Sequence, residues 1–182
     1  MTDERIPQEE AAVETAPERP GGPPPEHPVL RELADAFPGA RFETSVDQDV
    51  VRVDREELVA FATACRERGF DSFRELCAVD YLRRPPHRFE VVIELLSMEL
   101  PARLRILVGV PGSDPTLPSI TGVFAGANFY EREAYDLFGI SFDGHPDLTR
   151  ILMPDDWQGH PMRKDHPVGA VPVQFKGANT VT

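Results

Sequence analysis

Two neighbouring segments in the middle of the chain alternate apolar and polar residues, and this pattern restricts the possible folds more than any other feature. In residues 89–95 every second residue is apolar, and residues 102–110 repeat the pattern. Because successive side chains of a strand point to opposite faces, both segments are predicted to be β-strands with one buried face. The chain is therefore expected to build a sheet whose buried face is covered by other elements.

The two strands are predicted to pair as an antiparallel hairpin. A turn within residues 97–100 places Ile93 opposite Leu104 on the buried face. The same register places Glu94 opposite Arg103, so that an acid meets a base. The hydrophobic pattern and the charges therefore favour one register.

Three segments have the periodicity of amphipathic helices, and two of them lie in the first half of the chain. Residues 27–37 carry apolar side chains at helical spacing and end before a Pro-Gly pair. A second helix is predicted to begin with Asp54 as its N-cap, with Glu57 completing a capping box. Gly69 is predicted to end this helix.

A third helix is predicted to follow Asn128, with Glu131 in a capping box and Gly139 as the C-terminal stop. Arg132 and Asp136 are predicted to form an exposed ion pair four residues apart. The face that is expected to pack on the sheet consists of Tyr130, Ala134, Leu137 and Phe138.

Further strands are predicted at residues 50–53 and 74–82, which gives an α+β fold. It consists of a mixed, largely antiparallel sheet of about four strands with helices packed on it, in a compact domain of residues 29–138. Residues 1–28 hold seven prolines and seven acids and are predicted to be a disordered tail. Residues 139–182 are irregular but apolar, so they are predicted to form a long extended arm that wraps its own domain or lies on a partner.

The charge balance excludes several classes of function. The 182 residues include 19 basic and 31 acidic side chains, for a net charge of -12. Such a surface repels phosphate backbones and anionic lipid, which disfavours nucleic-acid binding. Two cysteines, Cys65 and Cys77, do not suffice for a disulfide framework or an all-cysteine cluster, so a reducing compartment is favoured. The sequence predicts neither a signal peptide nor a membrane span.

Motifs for independent chemistry are sparse. The sequence has no G-x-G-x-x-G, Walker lysine or G-x-S-x-G motif. One interpretation is a metal site of His145, His160 and His166, with Glu133 or Asp136 as an optional further ligand, in an independent metal-dependent hydrolase. The alternative is that these histidines are ordinary residues of extended turns, because each precedes a proline.

Three strings near the C-terminus resemble a known family. They are EREAYDLFGI at residues 131–140, HPDLTRIL at 145–152 and GHPMRKDHP at 159–167. This ordered match resembles the 30 kDa subunit, also called the C subunit, of proton-translocating NADH:quinone oxidoreductase (respiratory complex I). Three positions differ from the usual family residue. The family usually has a basic residue at the position of Thr149, leucine at that of Met162 and an aromatic residue at that of His166.

The resemblance implies a non-catalytic hydrophilic scaffold subunit. In this family electrons pass from NADH through FMN and iron-sulfur clusters to quinone, and the cofactors lie in partner subunits. The implied partners are the quinone-site subunit (D, 49 kDa) and the neighbouring cluster-bearing subunits (B and I), on the cytoplasmic face of the cell membrane. The equivalent subunit of a related membrane-bound hydrogenase or dehydrogenase complex is the alternative.

On this interpretation the charged residues of the matching strings are predicted to contact partner subunits. The alternative is that Arg150 or Arg163 ties the arm to the third helix within the chain. The predicted interface residues are Glu131, Arg132, Glu133, Asp136, His145, Arg150, Arg163, Lys164 and Asp165.

Overall fold

A computed structural model describes residues 26–46, 48–83 and 86–167 of the chain. The predicted disorder of the tail falls almost entirely outside these residues, as does the end of the predicted arm. The helices are α1 (Pro28–Ala36), α2 (Leu58–Glu67) and α3 (Ala127–Phe138). The strands are β1 (Arg41–Ser45), β2 (Gln48–Arg52), β3 (Ser72–Asp80), β4 (Phe89–Ser97), β5 (Ala102–Val110), β6 (Thr116–Pro118) and β7 (Ser141–Asp143).

The predicted α+β class is confirmed. Five strands form one mixed sheet in the order β1-β2-β5-β4-β3, in which β2 runs parallel to β5 and the other neighbours are antiparallel. The short strands β6 and β7 form a separate parallel pair. The large sheet thus has one strand more than the roughly four expected, because the sequence pattern of β1 was not recognised.

The β4–β5 hairpin forms, but its register differs from the predicted one by two residues. Ile93 lies opposite Ile106, and Glu94 lies opposite Arg105. The turn takes four residues, 98–101, and ends at Pro101, which has no N–H to give to the ladder. Since the side-chain period of a strand is two, this shift keeps every apolar residue on the predicted face.

Both predicted capping boxes are wrong. Asp54 precedes a single 3-10 turn and makes no side-chain capping hydrogen bond, so α2 starts later than expected. Helix α3 begins at Ala127 after Gly126, again without a side-chain cap. The C-terminal stops are confirmed, because Gly69 and Gly139 have φ of 93° and 69°, a region that favours glycine.

One core lies between the sheet and the three helices. Helix α3 packs on β3, where Phe73 contacts the ring of Tyr130, and α2 places Phe61 against Phe37. Ile140 and Phe142, which were predicted to belong to the arm, are part of the same core. The opposite face of the sheet, called here the open face, carries charged side chains such as Glu94 and Arg105. Among the described residues no helix is long and apolar enough to cross a membrane.

Candidate functional site

The residues of the family-like strings come together where the segment of residues 144–167, called here the C-terminal segment, lies against α3. This segment contains no helix or strand. An irregular segment can hold one conformation only if its backbone polar groups find partners outside regular ladders. Two buried carboxylates, Asp136 of α3 and Asp80 of β3, supply several of these partners.

Asp136 organises the first half of the C-terminal segment. Its side chain has no exposed surface, and its Oδ2 accepts hydrogen bonds from the backbone N–H groups of Ile151 at 3.0 Å, Leu152 at 2.7 Å and Met153 at 2.9 Å. Its Oδ1 accepts a hydrogen bond from Nη1 of Arg150 at 2.6 Å. The predicted Arg132–Asp136 pair is therefore wrong, because Asp136 points into the protein.

These hydrogen bonds control the ionisation of Asp136. Burial by itself raises the pKa of a carboxyl group, but the hydrogen bonds from the three backbone N–H groups and from Arg150 outweigh burial and lower the pKa of Asp136 to about 2. Arg150 also donates to the carbonyl oxygen of Gly159 at 3.0 Å. The Asp136–Arg150 pair thus connects α3 with two separate parts of the C-terminal segment.

Asp80 holds the second half of the C-terminal segment. It is buried and accepts hydrogen bonds from the backbone N–H of Lys164 at 2.9 Å and from Nη2 of Arg88 at 2.8 Å. Arg88 also binds Asp165 at 2.8 Å. Burial raises the pKa of Asp80, yet the bonds from Arg88, Lys164 and the N–H of Leu82 lower it to about 2.

Arg163 and His160 close the junction behind α3. Nε of Arg163 donates to the carbonyl oxygen of Phe138, at the C-terminal end of the helix. Nδ1 of His160 lies 3.0 Å from the carbonyl oxygen of Asp136, so it carries the proton and donates. Burial lowers the pKa of His160. A Cβ at Gly139 would lie 2.5 Å from the His160 ring, so the junction needs glycine at this position.

Glu131 lies at the other end of α3. It has no exposed surface and accepts hydrogen bonds from Oγ of Ser119 at 2.6 Å and from the N–H of Ile120 at 2.8 Å. Burial raises the pKa of Glu131, and these two bonds offset only part of that effect. Glu131 therefore positions the loop after β6 rather than the N-terminus of α3.

Large apolar side chains remain exposed on α3 and on the C-terminal segment, and together they are called here the apolar edge. Three of its residues are Phe129 (61% exposed), Leu152 (59%) and Met162 (55%). The guanidinium of Arg132 lies over the ring of Phe129 and donates through Nε to the carbonyl oxygen of Thr149 at 3.1 Å. These contacts place the C-terminal segment along the outer side of α3.

The nine predicted interface residues thus divide into two groups. The side chains with partners inside the chain are Glu131, Arg132, Asp136, His145, Arg150, Arg163 and Asp165. Glu133 and Lys164 have exposed side chains with no hydrogen bond or ion pair to another described residue. Asp80 and Arg88 were not predicted from the sequence, because they lie at the end of β3 and just before β4 and belong to no sequence motif.

Two of the three histidines of the alternative metal site, His145 and His160, have other partners. Nε2 of His145 lies 3.2 Å from the carbonyl oxygen of Asn128, and its Nδ1 accepts the N–H of Asp147 at 3.0 Å. His160 uses Nδ1 for the carbonyl oxygen of Asp136. Within residues 26–46, 48–83 and 86–167, no group of three or more His, Cys, Asp and Glu side chains could hold a metal ion.

Known proteins match this chain in sequence and in fold. The family described as "Respiratory-chain NADH dehydrogenase, 30 Kd subunit" matches residues 51–171. The C subunit of NADH-quinone oxidoreductase from Roseiflexus sp. is 51% identical over 152 residues, covering 81% of this chain and 87% of the relative. The protein of the same name from Herpetosiphon aurantiacus is 47% identical over 148 residues, covering 80% and 86%. The Salinispora arenicola protein of the same name is 47% identical over 162 residues. That match covers 82% of this chain but only 64% of the length of the relative.

Two solved structures are similar as well. The trypsin-resistant fragment (1-134) of Nqo5 is 38% identical, with a TM-score of 0.59 over 66% of this chain and 96% of the fragment. A chain of the membrane-bound sulfane sulfur reductase, an archaeal respiratory membrane complex, has a TM-score of 0.70 over 85% of this chain and 96% of that chain. At 20% identity the second likeness shows the fold alone.

Proposed function

The chain belongs to the 30 kDa subunit family of respiratory-chain NADH dehydrogenases and is a subunit of the NADH-quinone oxidoreductase complex, and from this we propose that it is a non-catalytic scaffold of that complex. In this role it binds neighbouring subunits and holds them in place. Electrons pass from NADH to quinone through FMN and iron-sulfur clusters that are bound by other subunits.

The observation that carries this proposal is the way the C-terminal segment is held. Two buried carboxylates, Asp136 and Asp80, fix an irregular backbone on the surface of the α+β domain. The segment keeps Leu152 and Met162 exposed, together with Phe129 of α3. Apolar anchors on a preordered backbone, with charges around them, are typical of a subunit interface.

The partners in this proposal are the quinone-site subunit (D) and the cluster-bearing subunits (B and I). In this proposal the predicted arm contacts them through the C-terminal segment, residues 144–167, on the cytoplasmic face of the membrane. Two cysteines, of which Cys65 is buried, cannot supply four thiolates for a cluster, which supports placing the clusters in the partners.

The predicted interface residues take two roles in this proposal. The enclosed side chains of Asp136, Arg150 and Glu131 act indirectly, because they shape the surface that a partner contacts. The exposed side chains of Glu133 and Lys164 reach the partner directly, at the polar rim around the apolar anchors.

The test is assembly in cells. Leu152→Asp and Met162→Asp place a charge on the exposed apolar edge, which costs little in the isolated chain but several kcal/mol once a partner removes water. Native electrophoresis should show a large loss of assembled complex, while NADH:quinone activity per assembled complex stays at the wild-type value. Val46→Asp is the matched control, because Val46 is also highly exposed but lies in the β1–β2 turn.

Two results would contradict the proposal. Normal assembly with slow turnover would mean that the edge acts in catalysis or quinone coupling. Normal assembly with normal turnover would mean that partners do not contact this edge.

A further inference from the structure

The open face of the sheet has a charged cavity that the C-terminal segment does not use. It is open to solvent and has a volume of about 380 Å³. Three arginines line it, Arg74 of β3 with Arg103 and Arg105 of β5, along with Glu75 and Glu94. With three arginines and two glutamates, the lining carries a small net positive charge on a chain whose net charge is -12.

A β-bulge in β3 brings Arg74 to this cavity. Phe73 pairs with Leu95 and Glu75 pairs with Glu94, so Arg74 is an extra residue without a partner in the ladder. In a regular strand, Arg74 would share the buried face with Leu76, two residues further on. The bulge instead exposes Arg74 and places it beside the cavity.

The two outer arginines, Arg74 and Arg103, have no direct partner in the described part of the chain, although Glu75 lines the same cavity. Glu94 accepts hydrogen bonds from Nε of Arg105 and from Nε2 of Gln48, so Arg105 is neutralised within the sheet. The guanidinium groups of Arg74 and Arg103 have no hydrogen-bond or ion-pair partner among residues 26–46, 48–83 and 86–167. Arg74 and Arg103 lie on strands β3 and β5, which are separated by β4, so their backbones are about 10 Å apart. Both side chains are long enough to reach one acidic group between them.

We propose that this cavity binds a carboxylate-bearing segment of a neighbouring subunit, as a second docking site remote from the C-terminal segment. The inference rests on the proposed scaffold function. A small-molecule ligand is disfavoured because, among the described residues that line the cavity, only Leu95 and Leu96 are apolar, whereas small-molecule sites are mostly apolar. Arginine forks pair with carboxylates, and a protein partner would also exclude the water that weakens exposed ion pairs.

The experiment uses the assembled complex in membranes. Arg74→Glu combined with Arg103→Glu reverses both free charges, and Arg74→Gln with Arg103→Gln removes them. Arg41→Glu is the matched control, because Arg41 is an exposed arginine on the open face at the far edge strand. Membranes are washed with increasing KCl, and the amount of this chain retained in the complex is measured by quantitative immunoblotting. A photo-crosslinking residue at position 103 identifies what occupies the cavity.

We expect the double glutamate variant to be retained about tenfold less than wild type, and the glutamine variant to show a smaller loss, because like charges in an interface repel. The Arg41→Glu control should be retained normally, and the cross-linked peptide should be an Asp- or Glu-rich segment of another subunit. Retention equal to the control, or a cross-link confined to this chain, overturns the proposal. If the wild-type chain itself is absent from the complex, the scaffold function fails and this inference fails with it.

Discussion

Replacing Asp136 by asparagine tests how the C-terminal segment is held, because the change keeps the side-chain shape and removes the charge. The carboxylate has no exposed surface and accepts three backbone N–H groups and the Arg150 guanidinium. An amide would turn NH₂ toward one set of these donors and leave Arg150 without its ion pair.

The loss of stability expected for Asp136→Asn follows from two magnitudes. A fall in the pKa of Asp136 from 3.8 to about 2 corresponds to roughly 2 kcal/mol of stability. Removing one partner of a buried ion pair costs about 3–5 kcal/mol. Since Arg150 keeps some solvent contact, we expect the free energy of unfolding to fall by about 2–4 kcal/mol.

Thermal unfolding and amide hydrogen exchange measure this loss. The midpoint should fall by roughly 6–12 °C for a domain of this size, and the amides of residues 151–153 should exchange faster. Glu133→Gln is the control, because it makes the same chemical change on an exposed residue of α3. A midpoint equal to that of the control, with unchanged exchange at residues 151–153, would refute the reasoning.

The pH dependence gives a second measure of the same effect. The pKa of Asp136 is lower in the folded chain than its ordinary value, so its contribution is complete above the ordinary value and is lost as the pH falls toward 2. Over this interval the wild type should lose more stability than Asp136→Asn. Equal slopes would mean that Asp136 does not stabilise the fold by its charge.

Three further predictions concern other buried groups. Burial raises the pKa of Glu131 above its ordinary value. As the pH rises from the ordinary pKa of a glutamate through the raised pKa of Glu131, the wild type should therefore lose stability relative to Glu131→Gln. Thermal midpoints measured across this pH range will show the loss. Gly139→Ala should destabilise the chain by about 1–3 kcal/mol more than Gly144→Ala in denaturant titrations; both glycines have positive φ, but only at Gly139 would a Cβ meet other atoms. Burial raises the pKa of Cys65 to about 12, so mass spectrometry after alkylation should find Cys77 modified in the native chain and Cys65 only after unfolding.

Local patterns in the sequence were sufficient for most of the elements. Alternation predicted β4 and β5 on the correct face, and glycines at the helix ends predicted where α2 and α3 stop. The register of the hairpin was wrong by two residues, because a turn at residues 98–101 satisfies the same alternation as the predicted turn at residues 97–100. Strand β1 was missed, because only Phe42 of its five residues is buried.

The candidate site was predicted only in part. The three strings resembling the family indicated which residues matter, and the comparisons confirm the family. The roles of the carboxylates could not be read from spacing, because capping boxes and ion pairs four residues apart are local rules. Glu131 and Asp136 instead bind groups that are distant in sequence, Ile120 and residues 151–153.

The sequence by itself determined which faces are apolar, because this depends on short-range periodicity. It also determined where the helices end, which depends on the backbone restrictions of single residues, and which family the chain resembles, which depends on contiguous strings. Only the tertiary structure decided which charges are buried. A carboxylate is stable inside a protein only if donors surround it. The donors to Asp136 come from residues 150–153, and those to Asp80 include the backbone N–H of Lys164, 84 residues further along the chain. That arrangement exists only after α3, β3 and the C-terminal segment have packed together.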